Sequence, residues 1–253
     1  MSGSPWSRNR PESVPSSSSE SGSTRLAGPS EHRVVRDVQD HWFREAKKQG
    51  YRSRAAFKLL EIDDKRKILK KGDVVLDAGA APGSWCQVAA RRIGPRGRVI
   101  GVDLKRIDRH LMPDTVDLVE GDLRDFDPND FGVDRFDVLL SDMAPDTTGD
   151  PFGDHHRSVR LCHELLDRAS TWLRPGGNLV MKVFEGEAYR ELLDRTAGVF
   201  EKSKGFKPKA SRGESVEMFV IGQGHEPGQD EPGDEGDPML APPRPRPSPG
   251  WGG

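Results

Sequence analysis

The stretch DVVLDAGAAPGSWCQVAARRI, residues 73–93, combines an apolar run, a turn of small residues and a helical pattern. Residues 73–78 have the β-branched and apolar side chains of a buried strand. Residues 84–93 place apolar side chains at helical spacing, and GPRG ends that pattern. A strand that turns directly into a helix is the first half of a βαβ unit. The stretch therefore predicts an α/β fold with a largely parallel sheet.

The rest of the central sequence repeats this alternation of strands and helices. Amphipathic helices are predicted at 156–173 and 187–200, and a further helix begins within 50–63 with Ser53 as its N-cap. The remaining strands are predicted at 98–104, 116–122, 135–144, 178–184 and 215–222. Strands separated by helices indicate consecutive βαβ units.

Composition changes at both ends of the chain. Residues 1–31 are rich in serine and residues 225–253 in acids and proline. Neither segment has enough large apolar side chains to offset its ordering entropy, so we predict disordered tails around one domain at 32–224. The sequence has neither an apolar run long enough to span a membrane nor the apolar region of a secretory signal. We expect a cytoplasmic monomer without a membrane partner.

The net charge of −2 hides a basic segment. Residues 32–71 hold thirteen Lys and Arg against six Asp and Glu, a local charge of +7. Such a segment is either a solvated helical face or a contact surface for a phosphate-rich partner, and charge alone favours neither. Cys86 and Cys162 are far apart and show no metal-ligand spacing, so we predict no metal site and a reducing compartment.

Charged residues stand where the predicted strands end. They are Asp77, Asp103, Asp122, Asp142 and Lys182. Because parallel strands end at the same edge of a sheet, where α/β proteins bind their ligands, we expect these side chains to lie close together. Each aspartate taken alone could instead cap a helix or a turn.

The turn at residues 77–85 suits a nucleoside cofactor without phosphates. Gly79 and Gly83 permit a tight turn and a close backbone approach to a ligand. The turn lacks both the GxGxxG and the GxxxxGK[ST] patterns of phosphate-binding loops. Asp103 is spaced to accept hydrogen bonds from ribose hydroxyls, and Asp122 to hold an adenine amino group. S-adenosylmethionine fits these features better than NAD.

Lys182 lies inside the apolar run of residues 178–184. An ammonium group taken out of water is costly unless it is paired. The lysine could lie on an edge strand and extend to water, or it could be held in a site for its chemistry. Asp142 would face it if strands 135–144 and 178–184 are neighbours, as the helix between them suggests. Lys58 lies off the apolar stripe of its own helix and is either simply exposed or functional.

A series of motifs, in this order, resembles the FtsJ-type RNA 2′-O-methyltransferases. They are GYRSRAAFKLLEI, LDAGAAPGSW, GVDL, EGDLRD, LLSDMAP, LRPGGNLVMKVFEGE and SVEMFVIG, covering about residues 38–222. The resemblance implies a Rossmann-like methyltransferase fold with a mostly parallel seven-stranded sheet and helices on both faces. It also implies S-adenosylmethionine as the cofactor. The implied substrate is a uridine ribose 2′-hydroxyl in 23S rRNA of the large ribosomal subunit.

The same resemblance implies a Lys-Asp-Lys-Glu catalytic group, with Lys182 as proton acceptor. Its members are Lys58, Asp142, Lys182 and Glu217. The charge of Lys58 would favour a neutral Lys182, whereas the two carboxylates would orient the lysines but oppose proton loss. The implied cofactor contacts are Gly83, Trp85, Asp103, Asp122 and Asp142, to which the turn argument adds Asp77 and Gly79.

The basic segment is the predicted grip on the RNA backbone. Its candidate residues are Arg44, Lys47, Lys48, Arg52 and Arg54, together with residues 202–209. The chain departs from the family pattern at Ser84, where glycine is usual, and at Asp146, where asparagine is common. Two other readings keep the same fold: methylation of tRNA or a messenger cap, and a catalytically silent RNA-binding assembly factor. Because all four catalytic positions are filled, the silent factor is disfavoured.

Overall fold

The computed structural model of the chain describes residues 41–211 and 215–228. The predictions for the tail at 1–31 and for residues 229–253 lie outside the described residues. In the described part, seven strands form one sheet in the order β3-β2-β1-β4-β5-β7-β6. They are β1 (Val74–Ala78), β2 (Arg98–Asp103), β3 (Val116–Glu120), β4 (Phe136–Ser141), β5 (Leu173–Phe184), β6 (Phe200–Phe206) and β7 (Glu217–His225).

The first five strands run parallel, and β7 runs antiparallel to both β5 and β6. The helices are α1 (residues 41–48), α2 (Ala56–Arg66), α3 (Ser84–Ile93), α4 (Pro151–Trp172) and α5 (Tyr189–Val199). Neighbouring strand residues face opposite sides of the sheet. Val75 packs in a core with α1, α2 and α3, whereas Leu76 packs in a second core with α4 and α5. The predicted mostly parallel seven-stranded α/β fold, with helices on both faces, is confirmed.

Several element boundaries differ from the sequence predictions. The helix expected to start at Ser53 begins at Ala56, and its N-cap position is Ala55. The Ser53 hydroxyl instead accepts a hydrogen bond from the Ala55 N–H at 3.2 Å and lies 2.8 Å from the Ser84 hydroxyl. It therefore stabilises the turn that precedes α2. Helix α4 starts at Pro151, five residues early, because Asp150 accepts hydrogen bonds from two backbone N–H groups and caps it.

Strand β6 was missed. Residues 202–209 were interpreted as part of a basic arm, but residues 200–206 pair with β7 at the edge of the sheet. The strand carries exposed Lys202 and Lys204 rather than an apolar alternation. Lysines on an edge strand disfavour pairing with other chains, so an edge strand lacks the apolar pattern that identifies a central one.

Candidate active site

The predicted site residues converge at the edge where the parallel strands end. Strand β4 lies between β1 and β5, and Ser141 is in register with both Ala78 and Met181. The residues that follow or adjoin these positions, Asp142 and Lys182, therefore come from neighbouring strands. Strands β4 and β5 are therefore neighbours, as the predicted contact between Asp142 and Lys182 requires.

Lys182 is buried and paired. It is 8% exposed, and its Nζ lies 2.9 Å from Asp142 Oδ1. The same Nζ donates a hydrogen bond to the Asp142 backbone carbonyl at 2.5 Å. Because β5 lies between β4 and β7, the alternative of an edge-strand lysine extending to water is wrong. The ammonium group is held by specific partners inside the protein.

A second buried pair lies beside the first. Lys58 of α2 is 7% exposed, and its Nζ donates a hydrogen bond to Glu217 Oε2 at 2.9 Å. Glu217 is the first residue of β7, and β7 pairs with β5 so that Phe219 is opposite Lys182. The pair is therefore built from two elements 159 residues apart in sequence, which no local pattern could reveal.

The charge state of Glu217 follows from its surroundings. Burial of the carboxyl group raises its pKa, but the nearby Lys58 ammonium lowers it by charge and by hydrogen bonding, and Lys182 lowers it further by charge. The net result is a pKa below the ordinary value. Glu217 is thus an anion at neutral pH, and both lysines stabilise its negative charge. The four predicted catalytic residues form one group of two lysines and two acids.

A cavity of about 450 Å³ opens at the same edge. Four of the seven predicted cofactor contacts line it: Gly79, Asp103, Asp122 and Asp142. Asp146, the departure from the family pattern, lines it as well. The cavity therefore touches the catalytic group through Asp142, the residue shared by both sets.

Gly79 lets the backbone turn at the cavity wall. Its φ is +73°, a conformation that strains residues with a side chain. A Cβ there would lie 2.6 Å from Met143 Cγ and 3.0 Å from the Met143 backbone. Glycine is thus required both by conformation and by the close approach of the loop after β4.

Asp103 and Asp122 present carboxylates to the cavity and also organise nearby backbone. Asp103 accepts hydrogen bonds from the N–H groups of Ala81 and Lys105, at 2.9 and 2.8 Å. Asp122 accepts them from the side chain and backbone N–H of Arg124, which lower its pKa to about 2. Asp122 therefore caps a short 3-10 helix and lines the cavity, so the capping and binding readings are compatible.

Three predicted cofactor contacts do not line the cavity: Asp77, Gly83 and Trp85. Trp85 is 2% exposed, donates its indole N–H to the Ala55 carbonyl at 2.9 Å and packs against Phe219. It supports α2 and hence Lys58. Gly83 adopts φ +101° and precedes α3 as its N-cap.

Asp77 is fully buried under the cavity wall. Its Oδ2 accepts a hydrogen bond from the Cys86 thiol at 3.0 Å, and its Oδ1 has no hydrogen-bond partner. Burial is the largest influence on the pKa of Asp77 and raises it; the Cys86 hydrogen bond lowers the pKa, Asp142 raises it, and the net value is about 7. The carboxyl group thus titrates near neutral pH beside the site.

The predicted RNA contacts differ in their exposure and in their partners. Arg44, Lys47 and Lys48 are exposed on α1. Arg54 is partly buried in the turn before α2. Arg52 is different, because its guanidinium donates hydrogen bonds to the backbone carbonyls of residues 82, 108 and 110.

Sequence reasoning missed the contribution of α4 to the cavity. Arg160, Leu161, Glu164 and Arg168 line it. Residues 160, 164 and 168 recur at the i, i+4 spacing of one helix face, opposite the apolar stripe used to predict the helix. That polar stripe was a detectable signal, but nothing local shows that a cavity lies against it.

Two negative findings concern residues 41–211 and 215–228 alone. No helix there is long and apolar enough to cross a membrane. Nor do three His, Cys, Asp or Glu side chains come together as candidate metal ligands.

Comparisons with known proteins identify the family of this chain. The family model described as FtsJ-like methyltransferase matches residues 51–225. A relative from Syntrophobacter fumaroxidans, named ribosomal RNA large subunit methyltransferase E, is 47% identical over 188 residues, which are 73% of this chain and 95% of that protein. A protein of the same name from Psychrobacter arcticus is 44% identical, over 73% of this chain and 89% of its own length.

A solved structure of a protein from Plasmodium falciparum, titled as a ribosomal RNA methyltransferase, superposes with a TM-score of 0.61. It is 28% identical, and the match covers 69% of this chain and 98% of that one. Residues 51–225, which the family model matches, contain the whole sheet and all four predicted catalytic residues. The chain therefore belongs to the FtsJ-like methyltransferase family.

Proposed function

We propose that the protein transfers a methyl group from S-adenosylmethionine to the 2′-hydroxyl of a uridine ribose in 23S rRNA. The observation that carries the proposal is the paired group of Lys182, Asp142, Lys58 and Glu217, of which Asp142 lines the cavity. The names of the relatives support ribosomal RNA as the substrate. The choice of 23S rRNA and of uridine rests on the sequence resemblance.

The cavity suits S-adenosylmethionine through its donor set and its shape. Asp103 has carboxylate oxygens for ribose hydroxyls, Asp122 can accept from an adenine amino group, and Gly79 leaves room at the wall. The carboxylates also provide negative charge for a cationic ligand. When bound, this cofactor supplies an electrophilic methyl group on a positively charged sulfur.

In its neutral amine form, Lys182 is the proposed proton acceptor for the ribose hydroxyl. A hydroxyl oxygen must lose its proton as the new O–C bond forms, and a positioned side chain removes it most effectively. Asp142 fixes the direction of the Lys182 amine through contacts at 2.9 and 2.5 Å. Lys58 opposes a second positive charge nearby, while Glu217 holds Lys58 in place. The proton taken up by Lys182 returns to solvent after the RNA leaves.

The exposed basic residues of α1 are the proposed RNA grip. Arg44, Lys47 and Lys48 are exposed, and Lys202 and Lys204 add charge on β6. Basic side chains on RNA backbone phosphates position a substrate without reading its sequence. All four catalytic residues come from one chain, which supports action as a monomer. We also propose that the protein works in the cytoplasm, where its RNA substrate would be assembled.

Mapping of ribose methylation tests this function directly. Large-subunit rRNA from cells with and without the protein should differ at one uridine 2′-O-methyl site. Purified protein should restore that methyl group with tritiated S-adenosylmethionine. Assays on assembled subunits, free rRNA and tRNA identify the form of the substrate. Methyl incorporation into tRNA alone, or into no RNA at all, would contradict the proposal.

A further inference from the structure

We propose that Arg52 is a positioning residue that holds the cofactor-binding loop in place, and that it does not bind an RNA phosphate. This inference rests on the proposed function and deepens it. It assigns one of the five candidate RNA contacts to the cofactor site instead. The assignment follows from the partners of its guanidinium group.

The guanidinium of Arg52 has committed the donors that a bidentate phosphate contact would need. Its Nη1 donates to the Pro82 carbonyl at 3.0 Å, and its Nη2 donates to the carbonyls of Asp108 and His110. Arginine binds an anion bidentately through Nη1 with Nη2 or through Nε with Nη2. Both arrangements require an Nη2 hydrogen. Because both Nη2 hydrogens already serve carbonyls, no bidentate arrangement remains.

Gln87 of α3 reinforces the same connection. It is 2% exposed, and its Oε1 accepts a hydrogen bond from the Arg52 N–H at 3.0 Å. Its Nε2 donates to the carbonyls of Gly50 and Leu111, at 3.0 and 3.2 Å. We call these two side chains the Arg52–Gln87 bridge. The bridge joins the turn before α2 to residues 82 and 108–111.

Both segments held by the bridge adjoin the predicted ribose site. Ala81 lines the cavity and donates its N–H to Asp103, and Pro82 follows it. Lys105, which also lines the cavity, donates its N–H to Asp103 from the other side. The bridge thus holds Pro82, which follows Ala81, and Asp108, which comes three residues after Lys105. Loss of the guanidinium should loosen the Asp103 carboxylate while leaving the exposed cations of α1 in place.

Calorimetric binding of S-adenosylmethionine to the full chain, without RNA, provides the test. We expect Arg52→Ala to weaken binding by about tenfold or more, since hydrogen bonds from a charged donor are lost. Gln87→Leu should weaken binding in the same direction. Lys48→Ala, which removes one exposed charge from α1, is the matched control and should leave cofactor affinity unchanged. A melting temperature for each variant verifies that it is folded.

Steady-state kinetics and RNA binding separate positioning from phosphate contact. Arg52→Ala should raise the KM for S-adenosylmethionine while keeping kcat, whereas a general folding defect would lower kcat. The slope of log affinity for large-subunit rRNA against log salt should stay at the wild-type value for Arg52→Ala. For Lys48→Ala, that slope should fall by about one phosphate contact.

Two results would overturn the inference: wild-type cofactor affinity in Arg52→Ala, or a salt slope reduced by about one contact in that variant. The outcome is distinguishable from failure of the proposed function. Cofactor binding is measured without RNA, so a different RNA substrate leaves it unaffected. Absence of cofactor binding in the wild-type protein would instead refute the proposed function itself.

Discussion

Replacing Lys182 with methionine tests the catalytic group most directly, because methionine has a similar length and no ammonium. The side chain is 8% exposed, and its Nζ is 2.9 Å from Asp142 Oδ1, so the group removed has defined partners. Proton removal by a positioned side chain contributes about 10²–10⁴-fold. We therefore expect the rate of methyl transfer to fall at least about 100-fold, or ~2.7 kcal/mol of transition-state stabilisation.

The same substitution has a smaller effect on folding. Breaking a fully buried ion pair costs about 3–5 kcal/mol, but the Asp142 side chain remains 20% exposed and can be hydrated in the cavity. We expect the free energy of unfolding to fall by about 1–3 kcal/mol. A domain of ordinary stability stays folded after such a loss, so the rate and the stability can be measured on the same sample.

The assay is single-turnover transfer of a tritiated methyl group to large-subunit rRNA, with urea unfolding and calorimetric cofactor binding in parallel. Lys70→Met is the control, because Lys70 is exposed and lies just before β1, at the end of the strands opposite the site. Lys182→Arg keeps the positive charge but does not give up its proton, and it should be as inactive as Lys182→Met. A wild-type rate in Lys182→Met would refute the catalytic role. A largely retained rate in Lys182→Arg would refute the role of Lys182 as proton acceptor. It would show instead that the positive charge of the side chain is what supports methyl transfer.

Three further predictions follow from the same geometry. Because the pKa of Glu217 lies below its ordinary 4.5, its lysine pair should stabilise the fold above that pH. The difference in unfolding free energy between wild type and Glu217→Gln should therefore become smaller as the pH falls below 4.5. The pKa of Asp77 is raised from 3.8 to about 7, so the native state binds the extra proton between these values. Wild-type stability should fall with rising pH in that window, by at most about 1.4 kcal/mol per unit, and Asp77→Asn should flatten the fall. Gly79→Ala should lower cofactor affinity and reduce the free energy of unfolding by about 1–3 kcal/mol. Gly132→Ala is the control, because Gly132 has a similar φ and no atoms near its Cβ position, and it should leave cofactor affinity unchanged. Equal affinities in the two variants would contradict the placement of Gly79 in the wall of the cofactor cavity.

The alternating pattern of residues 73–184 was sufficient to predict the five parallel strands and the end of the sheet where the predicted site residues meet. The apolar runs are local signals of buried strands, and parallel strands necessarily end together. The turn after β1 predicted a close approach of Gly79 to a ligand, and the structure shows that Gly79 closely approaches Met143 in the loop after β4. Strand β6 escaped prediction because an edge strand with exposed lysines has no apolar alternation.

The order of the motifs also specified which residues to examine, but not what each side chain touches. Lys182 could be an edge lysine or a paired one until the structure placed β5 between β4 and β7, away from the edge of the sheet. Trp85 and Arg52, predicted as ligand contacts, both contact backbone carbonyls. Their partners lie 30 residues away in sequence.

The sequence by itself thus determined the fold class, the family and the end of the sheet where the predicted site residues meet. Those features depend on periodicity and on residue types, which are local. Only the tertiary structure decided the partner of each charged group, because a buried donor or cation takes its partner from whatever the fold brings within about 3 Å. Lys58 and Glu217 are 159 residues apart and meet at 2.9 Å. Lys58 pairs with Glu217 and Lys182 pairs with Asp142 because the packed sheet and α2 bring these side chains together.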